Sequence, residues 1–138
     1  VCNLATMETL DYTLTDTLSL NITLDERSGE IIGLYPEKPS TKRVEVTPTE
    51  VARGQKFSYT VILGDDMQRP AQGHHLLEVT VIDPDGHVNS AYGCICATTD
   101  GVYSKSATMA VNALRGRWSI KVTDKYTTET SEIFFSVN

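Results

Sequence analysis

Three histidines and three cysteines are the residues of this chain best suited to chemistry, and all but Cys2 lie between positions 74 and 96. Imidazole and thiolate are the ligands that zinc and copper prefer. Whether His74, His75, His87, Cys94 and Cys96 meet depends on the turn between them. Asp83-Pro84-Asp85-Gly86 has proline second and glycine fourth, as a type I turn asks, with the Asp83 carboxylate placed to cap it. If Asp83 pairs with Gly86, Val81 faces Val88, Leu77 faces Tyr92 and His75 faces Cys94, with Cys96 next on the same face. Apolar partners agree in that register, and a one-residue slip would send them to opposite faces. His75, Cys94 and Cys96 then converge. No fourth ligand follows from the pattern, and two cysteines on a core-facing strand need no metal, because free cysteine is among the most buried residue types. No metal and no cofactor are assigned.

The remaining reactive groups are weaker candidates. Cys94 and Cys96, two apart on one strand, are too strained to bridge each other, so any disulfide joins Cys2 to one of them. Trp118 shares phase with Ile120 and Val122 and is expected in the core rather than as a stacking platform for a sugar. Phe134 and Phe135 point to opposite faces. Tyr103 and Tyr126 are the candidate ligand-binding residues, for a glycan. Carboxylates are spread singly through turns, and no local signal selects a pair for glycoside hydrolysis. No Gly-x-Ser-x-Gly elbow, phosphate-binding glycine loop, His-Glu-x-x-His or EF-hand spacing occurs. No catalytic residue is assigned.

The elements that position these residues are strands. Among 138 residues there are 18 Thr, 12 Val and 8 Ile, so over a quarter are β-branched and favour a pleated, half-buried surface. Apolar residues alternate with polar ones at Leu18–Leu24, Phe57–Leu63, Leu77–Val81, Trp118–Val122 and Ile133–Val137. Turn residues separate the runs: Arg53-Gly54, Gly64-Asp65-Asp66, Asp83–Gly86, Asp100-Gly101, Arg115-Gly116 and Asp124-Lys125. Seven strands follow, at about 44–48, 56–63, 75–82, 87–97, 105–112, 117–123 and 130–137. That spacing predicts an all-β fold, an immunoglobulin-like or fibronectin-like β-sandwich.

Residues 1–40 do not fit into the seven strands and form an N-terminal β arm, either an extra layer packed on the sandwich or, the preferred reading, the tail of a preceding domain. It holds β segments near 10–15 and 18–24, a turn at Glu26–Gly29, a short apolar run Ile31–Tyr35 and a linker, Pro36-Glu37-Lys38-Pro39-Ser40. The sandwich takes residues 41–138. The chain opens on Val1-Cys2-Asn3 without an initiator Met, a basic start or an apolar core, and is expected to be a processed or excised piece. A net charge of -6, with no Lys/Arg cluster larger than Lys42-Arg43, argues against nucleic acid. No apolar run approaches the roughly 20 residues of a membrane helix. Asn21-Ile22-Thr23 fits the N-glycosylation pattern, which matters only in a eukaryotic secretory setting.

One ordered set of segments carries a resemblance: Arg43–Pro48, Val51-Ala52-Arg53-Gly54-Gln55, His75–Gly86 with its valine-rich strand and Asp-Pro-x-Gly turn, Ala110–Leu114, and Gly116-Arg117-Trp118-Ser119-Ile120-Lys121-Val122-Thr123-Asp124. They resemble the immunoglobulin-like β-sandwich region near the C-terminus of large secreted bacterial proteins related to glycoside hydrolases. Leu24–Gly33 in the arm is similar to the hairpin closing the β-sandwich that follows a catalytic barrel. The resemblance implies a secreted, periplasmic or cell-surface location and a non-catalytic accessory role. The partners would be other domains of the parent chain or another protein. Contacts are expected in loops 64–74, 98–104 and 124–129. The alternatives are a carbohydrate-binding module using Tyr103 and Tyr126 and, more weakly, a periplasmic metal-binding sandwich using His75 and the cysteines.

Overall fold

The computed structural model describes every residue except Met7, Pro36, Glu37, Asp66 and Gln68. Two linker positions, Asp66 of the turn after Gly64, and Gln68 in loop 64–74 therefore lie outside the described residues. The fold is all-β, with no helix among the described residues. The arm carries β1 (Cys2–Asn3), β2 (Tyr12–Leu14), β3 (Leu18–Leu20) and β4 (Ile32–Gly33), paired antiparallel as β1 with β4 and β2 with β3. Residues from Thr41 onward build two sheets. Their strands are β5 (Thr41–Thr47), β6 (Glu50–Val51), β7 (Lys56–Gly64), β8 (Leu76–Ile82), β9 (Cys94–Ala97), β10 (Val102–Thr108), β11 (Gly116–Asp124) and β12 (Thr130–Val137). One sheet runs β10-β7-β5 and the other β6-β12-β11-β8-β9.

The period-two pattern explains the layering. Phe57, Tyr59, Val61 and Leu63 of β7 turn inward against Leu77, Val79 and Val81 of β8, Trp118, Ile120 and Val122 of β11, and Phe135 and Val137 of β12. Trp118 is buried, as its phase predicts, and its indole N–H donates to the Leu114 carbonyl at 2.9 Å. Phe135 packs within 5.4 Å of the Phe57 ring, whereas Phe134 lies outside beneath the Arg117 guanidinium, 3.6 Å from its ring centre. The apolar residues of the arm behave differently: Leu18, Ile22 and Leu24 alternate, yet face solvent.

In the arm, the β segment expected near 18–24 is a strand only over Leu18–Leu20, and three strand boundaries of the sandwich need correction. The strand expected at 44–48 runs from Thr41 to Thr47 and stops before Pro48, which cannot donate to a ladder. The chain then crosses to the opposite sheet, where β6 pairs parallel with β12, Val51 opposite Val137. Two residues are too few to show alternation, so β6 left no trace in the pattern. The strand expected at 105–112 is β10 at 102–108, started early by the tight turn in which Gly101 adopts φ 75°. The strand expected at 87–97 shrinks to β9, residues 94–97.

That last change overturns the predicted hairpin register. The Asp83 turn forms as read: its carboxylate accepts the N–H groups of Asp85 and His87, and Gly86 N–H donates to the Asp83 carbonyl. Ile82 faces Val88. The ladder then breaks, because Asn89 accepts from the N–H groups of Ala91, Tyr92 and Gly93 and loops the chain out. The loop drives Tyr92 into the end of the core, edge-on to Trp118 at 6.0 Å and to Phe57 at 5.5 Å. When pairing resumes, Val79 faces Cys94 and Leu77 faces Cys96, so β9 sits four residues further along than predicted. An even slip keeps the cysteines on the inner face. It also removes them from His75, which instead faces Thr98 through two 2.9 Å hydrogen bonds.

Candidate functional site

Two side-chain clusters stand out, and they lie where the hairpin slip separated the predicted ligands. The first is at the open side of the sandwich, where β9, the last strand of one sheet, passes over β10 and β7 of the other. Cys94 and Cys96 alternate inward there, half-buried, while Ile95 and Ala97 face out. The Cys94 thiol lies 3.2 Å from the Tyr103 hydroxyl and 3.7 Å from that of Tyr59. Tyr59 O–H donates to the Tyr92 carbonyl at 3.0 Å. The Lys105 ammonium, two residues from Tyr103 on β10, donates to the Gly93 carbonyl at 3.0 Å. Burial first, and then the neighbouring Cys94, push the Cys96 thiol up to about 12, opposed by the Tyr103 hydroxyl and then by Lys105. Burial likewise raises Tyr59 and Tyr103. These are protonated, unreactive groups, a poor setting for a thiolate nucleophile.

All three cysteines are free thiols, so Cys2 makes no disulfide with Cys94 or Cys96. Cys2 is buried in the arm, its Sγ 3.4 Å from the Asn3 carbonyl. No three His, Cys, Asp or Glu side chains gather as a chelating set among the described residues. His74 contacts the Thr98 carbonyl through Nδ1 at 2.7 Å, and His87 sits in the exposed turn 3.6 Å from Asp83.

The second cluster joins arm to sandwich. Tyr35, just after β4, is sandwiched between His75 and Tyr126, with ring centres 5.0 Å and 4.5 Å away and nearly parallel planes. His75 is fully buried, its Nε2 3.1 Å from the Gln72 carbonyl and its Nδ1 without a hydrogen bond among the described residues. Tyr126 is presented by the β11–β12 turn, where the buried Asp124 carboxylate accepts the Tyr126 N–H at 2.8 Å. Burial lowers the Lys42 ammonium, partly offset by Asp124 and Glu129, and Lys42 donates to the Glu129 carbonyl. Beyond Tyr35 the arm presents a groove of about 350 Å³ lined by Val1, Tyr12, Leu14, Leu18, Leu34 and Tyr35.

Of the two predicted ligand-binding residues, Tyr103 is therefore placed in the thiol cluster and Tyr126 at the arm junction, both half-buried and in different ring pairs. In the sequence Tyr59 reads only as a strand residue, Asp124 only as part of a turn and contact loop and Tyr35 only as part of an apolar run, and Lys105 carries no role. Tyr59, Lys105 and Tyr35 act through partners remote in the chain, which leaves no local periodic signal, while Asp124 accepts the Tyr126 N–H two residues on, within the turn.

No protein-family model matches the chain, and the curated proteins include no significant match. Solved structures do match in fold. Trypsin-activated alpha-2-macroglobulin from Escherichia coli aligns with a TM-score of 0.58 at 20% identity, over 70% of this chain and 6% of that one. A Salmonella alpha-2-macroglobulin mutant gives 0.57 at 17%, over 75% and 7%. A glycosyl hydrolase family 2 member from Bacteroides cellulosilyticus gives 0.55 at 16%, over 83% and 16%. The likeness is one of fold. This chain spans a small fraction of the length of each, one domain's worth of a large bacterial protein.

Proposed function

We propose that this chain is a non-catalytic, immunoglobulin-like accessory domain of a larger secreted bacterial protein related to glycoside hydrolases. It works by docking against neighbouring domains through the face of its arm. The observation that carries the reading is the apolar groove of Val1, Tyr12, Leu14, Leu18 and Leu34, in which Leu14 is 69% and Leu34 62% exposed. A contiguous apolar patch held to a rigid sandwich marks a contact surface. The Tyr35 stack supplies the rigidity, holding the groove in a fixed orientation on the end of the β8, β11 and β12 strands. The fold likeness to single segments of long bacterial chains supports the same reading, as does the protonated state of the thiol and phenol groups, which suits structure better than catalysis. On this reading residues 1–40 bridge a preceding domain to the sandwich of residues 41–138.

The test is association in solution. The 138-residue chain is mixed with the separately produced remainder of its gene product and followed by calorimetry, beside a glycan panel. A one-to-one complex weakened at least about tenfold by Leu14→Asp or Leu34→Asp, equivalent to about 1.4 kcal/mol, supports the docking role. Glycan binding lost on substitution of Tyr103 and Tyr126, with no such association, would replace it with a carbohydrate-binding role.

A further inference from the structure

The thiol pair at the sandwich edge has a chemistry that docking does not use. Cys94 and Cys96 stand on one face of β9, separated along the strand by about 6.6 Å at a rise of about 3.3 Å per residue. Two residues apart on an extended strand, they are poorly placed to close on each other, and both are free. Their separation suits a bridging atom instead. Two metal–sulfur bonds of about 2.3 Å each, in line, span about 4.6 Å, which two thiol arms leaning toward each other from adjacent inward positions can reach.

The surroundings decide which ion. Zinc asks for four ligands in a tetrahedron, and no third His, Cys, Asp or Glu joins the pair among the described residues. His75, which the sequence register would have supplied, faces Thr98 instead. Soft thiolate ligands favour Cu(I), and a filled-shell monovalent ion such as Cu(I) or Ag(I) is satisfied by two sulfurs in line. Two thiolates around one such ion carry a net charge of -1. The Lys105 ammonium, anchored on the Gly93 carbonyl and acting on Cys96, is the compensating cation. The Tyr103 hydroxyl, 3.2 Å from the Cys94 sulfur, is placed to donate to a sulfur once the metal has displaced its proton. The part-buried setting limits competition from water.

We propose that Cys94 and Cys96 form a two-coordinate thiolate site for a soft monovalent metal ion of the Cu(I) or Ag(I) type, with Tyr103 and Lys105 as outer-shell partners. Binding replaces two S–H bonds by two S–metal bonds and releases two protons to solvent, with no change of oxidation state.

The experiment is anaerobic titration of the full chain with Cu(I) in competition with a chromophoric Cu(I) chelator, repeated with Ag(I). The expected result is one ion per chain, a sulfur-to-metal charge-transfer band in the ultraviolet, and unchanged binding in Cys2→Ser. Removing an outer-shell partner alone typically costs about 10- to 100-fold in affinity, so Cys94→Ser and Cys96→Ser should each lose about 100-fold or more, and Tyr103→Phe less. X-ray absorption on the loaded wild-type chain is independent of how well the variants fold, and should show two sulfur neighbours and no nitrogen. Failure of the wild type to take Cu(I) from the chelator, affinity unchanged in both cysteine variants, or a nitrogen-containing shell would each overturn the proposal.

Discussion

At the residue scale, burial raises the Cys96 thiol and the Tyr59 and Tyr103 phenols between the sheets, and this has a consequence at high pH. Burial pushes the Cys96 thiol from the ordinary 9.0 up to about 12. The fold therefore binds the extra proton through that window. Cys96 contributes its stability below pH 9 and loses it as pH rises toward 12; the raised Tyr59 and Tyr103 act in the same direction. The melting temperature should fall between pH 9 and 12, and Cys96→Ala should fall less steeply than the wild type; parallel slopes would contradict this. Tyr59→Phe tests the same cluster at neutral pH. It removes the 3.0 Å bond to the Tyr92 carbonyl and leaves that buried acceptor unpaired, so urea denaturation should show a loss of about 1 to 2 kcal/mol, with little change in the denaturant slope.

At the element scale, the strands of the sandwich were legible where alternation ran for five residues or more, as in β7, β8, β11 and β12, whereas the alternating run Leu18–Leu24 of the arm is a strand only over Leu18–Leu20. What escaped was set by contacts that periodicity does not encode. The two-residue β6 is held by its parallel partner across the sandwich. The register of β8 with β9 follows from Tyr92 entering the core between Trp118 and Phe57, through a turn built by Asn89 and closed at Gly93, where a Cβ would lie 2.6 Å from the Val79 carbonyl oxygen. The predicted convergence of His75 with the cysteines failed because this loop adds to a one-residue shift already present at the Asp83 turn, where Ile82 rather than Val81 faces Val88. The turns themselves differ in tolerance. Gly86 and Gly101 both have positive φ, but a Cβ at Gly86 would meet nothing within 4 Å, whereas at Gly101 it would lie 2.7 Å from backbone atoms of Ala71 and Leu63. Gly86→Ala should cost about 1 to 2 kcal/mol from the left-handed backbone, and Gly101→Ala at least roughly twice that, with β10 disturbed. Equal losses in chemical denaturation would contradict this ranking.

At the scale of the whole molecule, the sandwich was readable from alternation and turn spacing, and the arm was recognisable mainly as what the seven strands left over. Its apolar residues alternate like those of a core strand, yet they stay at the surface, because the described arm strands pair only with each other. The aromatic stack of Tyr35 on His75 and Tyr126 ties this exposed ribbon to the sandwich, and on the docking proposal the ribbon is the contact surface. Tyr35→Ala should leave the sandwich folded while speeding amide exchange across residues 1–34, since local opening depends on the contacts that hold a segment. The most direct measurement of the docking role is hydrogen exchange of this domain within its full-length gene product, compared with the isolated 138-residue chain. Docking through the arm predicts that residues 12–20 and 31–35 gain protection in the longer protein while loop 98–104 exchanges as before. Unchanged exchange along the arm, or protection gained only at that loop, would contradict it.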